Sequence, residues 1–511
     1  MSEAAVQKPH TADPKRWTAL AFIAVAQLMV VLDATIVSIA LPSVQSDLGI
    51  SDANRQWAVT AYALAFGGML LFGGRTADLW GRRNAFVTGL IGFAAASALG
   101  GAASNEAMLF VSRAAQGVFA ALLAPAALSL LAVMFTDSKE RAKAFGVYGA
   151  VAGAGSGIGL VLGGLLTEYL NWRWTFFVNL PFAVVAVFGA LFAIREPKGT
   201  RNRSGLDIPG VLLATTGLVA LVYGFTRAES DGWSDAVTIS LFVATVVLLG
   251  SFALVESKVR HPLLPLRVLL DHNRGGAYLA FALSTISMFG ISLFLTYYLQ
   301  VVQGYSPVKS GLAFLPMTVA IVVGSTQIGA RLMTRFPPRL LMAPGFLVAA
   351  AGLIPLTQIE PGSSYSSRML PALLLLGVGL GTAFMPATSL ATAGVEPRDA
   401  GVASAMVNTS QQVGGAIGTA LLNTIAASAT TSWLAAHATE ATTLGRTDFA
   451  NLGAVHGYTT AIWWAVGILV AAAAVSAVLI RTKGHEDTAT GSTDGIPAQD
   501  ATENDVPAMP H

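Results

Sequence analysis

The 511-residue chain is 54% hydrophobic and 11% charged, with mean hydropathy +0.63 and a formal net charge of +2. Soluble domains carry ~25% charged residues, so the composition excludes a soluble globular protein. The scattered charge offers nucleic acid no basic face, and the absence of cysteine excludes disulfides, thiolate metal sites and a cysteine nucleophile.

Apolar runs long enough to span a bilayer as helices recur along the chain. They predict an all-α integral membrane protein with fourteen spans: 17–43, 57–77, 84–104, 107–135, 142–168, 174–194, 207–226, 236–256, 275–300, 312–334, 339–358, 369–394, 399–429 and 457–481. The first run is too long for a signal-peptide core and stays as a helix. With Met1 inside, 23 Lys and Arg fall in inside segments and six in outside ones, with Arg113 in a span. That asymmetry predicts two cytoplasmic termini. Thr430–Gly457 reads as a long polar outside loop, and 482–511 as an acidic cytoplasmic tail too polar to fold.

The first span holds Asp33 well inside its apolar run. A charge at that depth costs ~2.5–3.5 kcal/mol on insertion scales and normally faces a wet cavity or a partner. The readings are a proton-exchanging carboxyl or a structural one bonded to a neighbouring helix. After the second span, Gly74-Arg-Thr-Ala-Asp78-Leu-Trp-Gly81-Arg82-Arg83 reads as a tight turn or as a charged lock across helix ends. In the fourth span Arg113 and Gln116 share a face, and Asp33 is the one acid deep in a span of that half. Pairing with Asp33 and snorkelling are the two readings of Arg113. The fifth span carries Gly149, Gly153, Gly155, Gly157, Gly159, Gly163 and Gly164, a smooth face suited to rigid packing or to a hinge.

A weak repeat links Gly117–Pro125 in the fourth span to Gly379–Pro386 in the twelfth, and the fifth span to Gly414–Gly418 in the thirteenth. Two parallel six-helix halves, 17–195 and 275–481, would explain it, joined by a linker (196–274) carrying two extra central helices and preceded by a cytoplasmic segment, 1–16.

These stretches, from Leu32-Asp33-Ala-Thr-Ile-Val-Ser-Ile-Ala-Leu-Pro42 to Gly163-Gly164, resemble the successive motifs of the major facilitator superfamily, specifically its fourteen-span drug:H+ antiporter family. Trp172–Pro181 and Asn408–Gly415 fit the same pattern. The resemblance implies two six-helix bundles plus two central helices, proton-driven export by alternating access, and a bacterial cytoplasmic membrane. It implies that Asp33 and Arg113 couple protonation to conformation. Gly74, Asp78, Gly81, Arg82 and Arg83 would form an inner latch, set against the region of Arg398 and Asp399. Gly149, Gly153, Gly159, Gly163 and Gly164 would form the antiporter motif. Ser38, Thr76, Leu79 and Leu160 depart from the family pattern, Leu160 standing where proline is usual.

Gln27, Tyr62, Gln116, Phe294, Tyr297, Tyr298, Gln300, Asn408 and Gln411 are candidate cavity residues, aromatic and amide rather than charged. They fit an amphipathic, partly aromatic drug- or antibiotic-like molecule, and Asp33 could also attract a cation. The alternative substrate is an endogenous lipid or secondary metabolite; a passive channel or membrane sensor is the alternative of another class. One charge across ~150 mV yields ~3.5 kcal/mol, enough for a gradient of roughly 300-fold. No phosphate-binding loop appears, and the seven histidines lack ligand spacing, so neither cofactor nor metal nor enzymatic activity is expected. The expected partners are the small substrate, protons and membrane lipid, with the chain a monomer.

Overall fold

The computed structural model describes residues 14–481 apart from 53, 136, 195–206, 260–261, 263, 393–394 and 396–399; the side chain of Asp78 also lies outside the described ones. The expected tail (482–511), Arg398 and Asp399 therefore fall outside them. Among the described residues there is no strand.

Fourteen helices carry the fold: α1 (Arg16–Leu48), α2 (Trp57–Trp80), α3 (Arg82–Gly101), α4 (Glu106–Met134), α5 (Ser138–Tyr169), α6 (Asn179–Ala193), α7 (Ile208–Ser230), α8 (Ala236–Lys258), α9 (His272–Tyr297), α10 (Pro307–Val323), α11 (Arg339–Leu353), α12 (Leu370–Thr392), α13 (Ala400–Ala436) and α14 (Arg446–Leu479). Among the described residues thirteen helical stretches are long and apolar enough to cross a membrane, and α2 adds the shorter apolar run Trp57–Leu70. The chain is a multi-pass membrane protein.

Pairing follows one pattern twice. In the first half α4 packs on α2 and α3, while α1 packs on α5 and α6. In the second, α12 packs on α10 and α11, and α9 on α13 and α14. The halves meet along two seams that exchange under the same repeat, α2 against α13 and α5 against α10. The extra pair α7 and α8 packs together, and α7 lies along the α2–α13 seam.

Glycines set how close these helices come. A Cβ on Gly163 would meet the Ile36 carbonyl at 2.9 Å, and one on Gly164 would meet the Pro307 carbonyl at 2.7 Å. Gly414 and Gly418 make the equivalent approaches of α13 to Ala282 and Ile286 of α9, so the faint glycine repeat corresponds to a repeated packing. At the α2–α4 crossing the intimate contact is made by Gly73 against Ala121, whereas a Cβ on Gly74 would find only ordinary contact with Pro125. Gly81 turns the chain between α2 and α3 at φ +104°, a conformation that side chains rarely adopt.

One sequence expectation fails. Thr430–Gly457 is a helical hairpin rather than a polar loop: α13 runs to Ala436 and α14 starts at Arg446, with Gly453 packed on Leu434. Its alanines are strong helix formers, and neither arm depends on the bilayer for its backbone bonds.

The termini of the described chain lie at the end that also carries Arg82, Arg83, Arg274 and Arg339, here called the basic end. There Arg16 donates from Nε and Nη2 to both carboxylate oxygens of Glu140, each at 2.9 Å, tying the start of α1 to the start of α5. Those bonds hold the Glu140 carboxyl below its usual range.

Two kinds of glycine on α5 should therefore behave differently. Gly163→Val, forced against the α1 backbone, should destabilise the protein by about 1–3 kcal/mol. Gly149→Ala and Gly153→Ala, which have nothing within 4 Å, should unfold at the wild-type temperature. Thermal denaturation in detergent checks both, and equal losses at all three sites would contradict this packing.

Candidate functional site

Asp33 and Arg113 form a fully buried ion pair, Arg113 Nη1 donating to Asp33 Oδ2 at 2.7 Å. Asp33 Oδ1 accepts from Gln116 Nε2 at 2.8 Å and from Asn179 Nδ2 at 2.7 Å. The carboxylate of α1 is thus held by α4 through two side chains and by α6 through one. Arg113 also donates from Nε to the Ala58 carbonyl on α2 (2.7 Å) and from Nη1 to Gln116 Oε1 (2.7 Å), with the Tyr62 ring 4.5 Å from its guanidinium carbon. Ser97 of α3 accepts from Gln116 Nε2 (2.7 Å) and Asn179 Nδ2 (3.2 Å). Every helix of the first half except α5 supplies a group. A pair removed this far from water is supported by the further hydrogen bonds that Gln116, Asn179 and the Ala58 carbonyl make to it.

The helical period places Ala34, Thr35, Ser38 and Leu41 on the opposite face of α1, and these four line a chamber between the halves. Ser156 and Leu160 of α5, Met288, Phe289, Ser292 and Thr296 of α9, and Phe314, Met317 and Thr318 of α10 complete most of its wall. None of its lining residues is charged. It encloses about 110 Å³, well below the ~300–1,000 Å³ of drug-sized sites.

The chamber is sealed at the end opposite the basic one. There Arg55 is buried between the halves: Nη2 donates to Asn423 Oδ1 at 3.2 Å, Nη1 to Asp52 Oδ1 at 3.2 Å, and the guanidinium lies 4.0 Å over the Tyr297 ring. Tyr297 donates its hydroxyl proton to Gln45 Oε1. Gln300 Nε2 donates to the Ile39 carbonyl (2.8 Å), and the Val308 amide at the start of α10 donates to Glu168 at the end of α5 (2.9 Å). Towards the basic end no such contact is found among the described residues. Gly146, Gly149 and Gly153 have open space beside them, and Phe145 and Val147 are 37% and 38% exposed. The same glycine stripe is therefore closed on its far half and splayed on its basic half.

Of the candidate cavity residues Gln27, Tyr62, Gln116, Phe294, Tyr297, Asn408 and Gln411, none lines this chamber. Tyr62 and Gln116 belong to the ion-pair network. Phe294 stacks on Tyr458, and Tyr297 and Gln300 are spent on the far-end seal. Tyr298 donates its hydroxyl proton to the Glu360 carbonyl at a loop. Gln27 accepts from the Tyr148 hydroxyl, and Asn408 donates to its own helix at the Ser404 carbonyl, while Gln411 is half-buried on α13. The wall of the chamber is made of hydroxyls, methionines, phenylalanines and aliphatic side chains rather than of amides and tyrosines. Asp33 faces away from the chamber, so it is not open to a cationic substrate in this state. In the latch stretch, Arg83 donates to the Leu191 carbonyl at 3.0 Å, and Thr76 bonds back to the Phe72 carbonyl. Leu160 keeps α5 a continuous helix and lays its carbonyl against Gly311. Sequence reasoning missed Ser97, the role of Asn179 and the burial of Arg55. The usable signals were a lone serine in an apolar run and the run of polar residues from Gln45 to Gln56.

A family model described as the Major Facilitator Superfamily matches residues 23–419. The chain belongs to the Major Facilitator Superfamily. Within it, the puromycin resistance protein of Streptomyces alboniger is 52% identical over 502 residues, covering 98% of this chain and 97% of that one. The cephamycin export protein of Amycolatopsis lactamdurans is 38% identical over 81% of this chain and 85% of its own. The tetracenomycin C resistance and export protein of Streptomyces glaucescens is 35% identical over 81% and 76%. The crystal structure of a bacterial homologue of the human lysosomal transporter Spinster, inward-facing and unoccupied, is similar with a TM-score of 0.64 at 18% identity, covering 92% of this chain and 98% of that chain. This last likeness shows the fold alone.

Removing one partner of the buried pair should cost more than removing both. Arg113→Leu should destabilise the folded protein by about 3–5 kcal/mol, while the Asp33→Leu/Arg113→Leu double variant recovers much of that loss. Additive losses in a thermal-denaturation cycle would show that the two side chains act independently.

Proposed function

We propose that this chain exports amphipathic, drug- or antibiotic-like small molecules across the cytoplasmic membrane of a bacterium by alternating access, in exchange for protons. Both termini, and hence the basic end, lie in the cytoplasm; the excess of basic residues there supports that orientation. In this reading the structure is the state that takes substrate from the inside.

The observation that carries the proposal is the Asp33–Arg113 pair, placed one helix face away from the chamber. A proton on Asp33 cancels the charge that holds Arg113. Arg113 then faces only neutral acceptors, Gln116, the Ala58 carbonyl and the carboxylic acid's own C=O, and the tie between α1 and α4 weakens. Because α1 carries the chamber wall on its other face, and α5 rests on it through Gly159 and Gly163, its displacement reaches both chamber and seam. The uncharged wall, rich in methionine, phenylalanine and hydroxyls, suits apolar molecules with a few hydrogen-bonding groups. Relatives named for puromycin resistance and for tetracenomycin C and cephamycin export support the substrate class.

In proteoliposomes with an imposed pH gradient, the wild type should accumulate puromycin or tetracenomycin C uphill, and Asp33→Asn should lose at least 90% of that accumulation. Equal accumulation by both proteins would remove Asp33 from the coupling step. Only downhill equilibration by the wild type would contradict proton exchange.

A further inference from the structure

Asn179 has a polar atom with nothing to do. Its Nδ2 donates to Asp33 and Ser97, but its Oδ1, fully buried, has no hydrogen-bond partner among the described residues. An orphaned acceptor in a low-dielectric core costs about 1–3 kcal/mol and calls for a reason.

The reason lies in what Asp33 needs when it holds a proton. The ionised carboxylate wants donors only, and Arg113, Gln116 and Asn179 supply them. The carboxylic acid carries an O–H and needs an acceptor close by. Gln116 cannot serve, since its Oε1 is tied to Arg113 Nη1. The Ala58 carbonyl is likewise occupied by Arg113 Nε. The Ser97 hydroxyl already takes two donors, from Gln116 and Asn179. The other ionisable groups facing Asp33 are Arg113 on α4, which only donates, and Tyr62 on α2, whose ring lies against Arg113. α3 and α6 contribute only Ser97 and Asn179. Among the side chains hydrogen-bonded to Asp33, Asn179 is thus the one with a spare acceptor; the Tyr62 hydroxyl on α2, likewise buried without a partner among the described residues, makes no hydrogen bond to the carboxylate.

We propose that Asn179 is a positioning residue that reads the protonation state of Asp33. Its amide presents N–H to the carboxylate and, turned over about its last side-chain bond, presents C=O to the carboxylic acid. No bond is made or broken beyond the Asp33 O–H. The proton enters on Asp33 Oδ1, the amide exchanges one end for the other, and Ser97, which can donate or accept, follows. An amide serves both forms of the acid; leucine serves neither, and aspartate when ionised cannot donate. A hydroxyl can also do both, so Asn179→Ser keeps the function that Asn179→Leu loses.

This inference rests on Asp33 exchanging a proton, and the test separates the two. The full-length protein in lipid is taken between acidic and alkaline pH, and infrared difference spectra are recorded without substrate. The expected result is a protonated-carboxyl band that Asp33→Asn abolishes, that shifts in Asn179→Leu together with loss of a paired amide carbonyl band, and that returns towards its wild-type position in Asn179→Ser. In proteoliposomes, Asn179→Leu should lose at least tenfold in gradient-driven uphill puromycin accumulation, and Asn179→Ser should recover most of it. Absence of any Asp33-dependent band would overturn the protonation on which the inference depends. An Asp33 band at the same position in wild type and Asn179→Leu would overturn the role of Asn179 alone.

Discussion

The structure depends on the buried ion pair of Asp33 and Arg113, whose two members lie on different helices. Neither Asp33 nor Arg113 can reach water, so each is tolerated only through the other and through the donors and acceptors packed around them. That constraint gathers α2, α3, α4 and α6 around the middle of α1. It also makes the arrangement conditional, because one proton on Asp33 removes the charge that justifies the rest. A dry core held by apolar contact alone would offer no comparable handle.

The repeated packing explains how a local event could travel. Each half presses a glycine-bearing helix against its first helix, α5 on α1 and α13 on α9, and each of those glycine helices also forms a seam with the other half. α1 is therefore shared between the ion pair, the chamber wall and the α5 support. The far-end seal adds hydrogen bonds and a stacked guanidinium, with Arg55, Asn423, Tyr297 and Gln45 at its centre, to a buried apolar cluster that includes Ile39 and Val44 of one half and Leu295 and Leu299 of the other. The polar contacts of the seal can be exchanged for water when the halves part.

Much of this was legible in the sequence. Span positions follow from hydrophobic runs, and the depth of Asp33 and Arg113 in two of those runs pointed to a partner for each. The glycine repeat marked helices that must approach closely. What escaped was anything fixed by which face of a helix meets which neighbour. Gly74 opens the motif, yet the close approach to Ala121 is made by its neighbour Gly73. Tyr297 and Gln300 have the chemistry of a binding site, but the end of α9 turns them to the seal. Ser97 and Arg55 were unremarkable by type and acquire meaning only from burial.

The central claim is that protonation of Asp33 moves the halves. The chain has no cysteine, so nitroxide labels can be placed at Val147 on α5 and Gln327 beyond α10 without background, both exposed near the open basic end of that seam. Spin–spin distances measured in lipid at acidic and alkaline pH give the result directly. The account predicts that the distance distribution of the wild type changes with pH and that Asp33→Asn shows one distribution at both. A pH response that is identical in wild type and Asp33→Asn would contradict it.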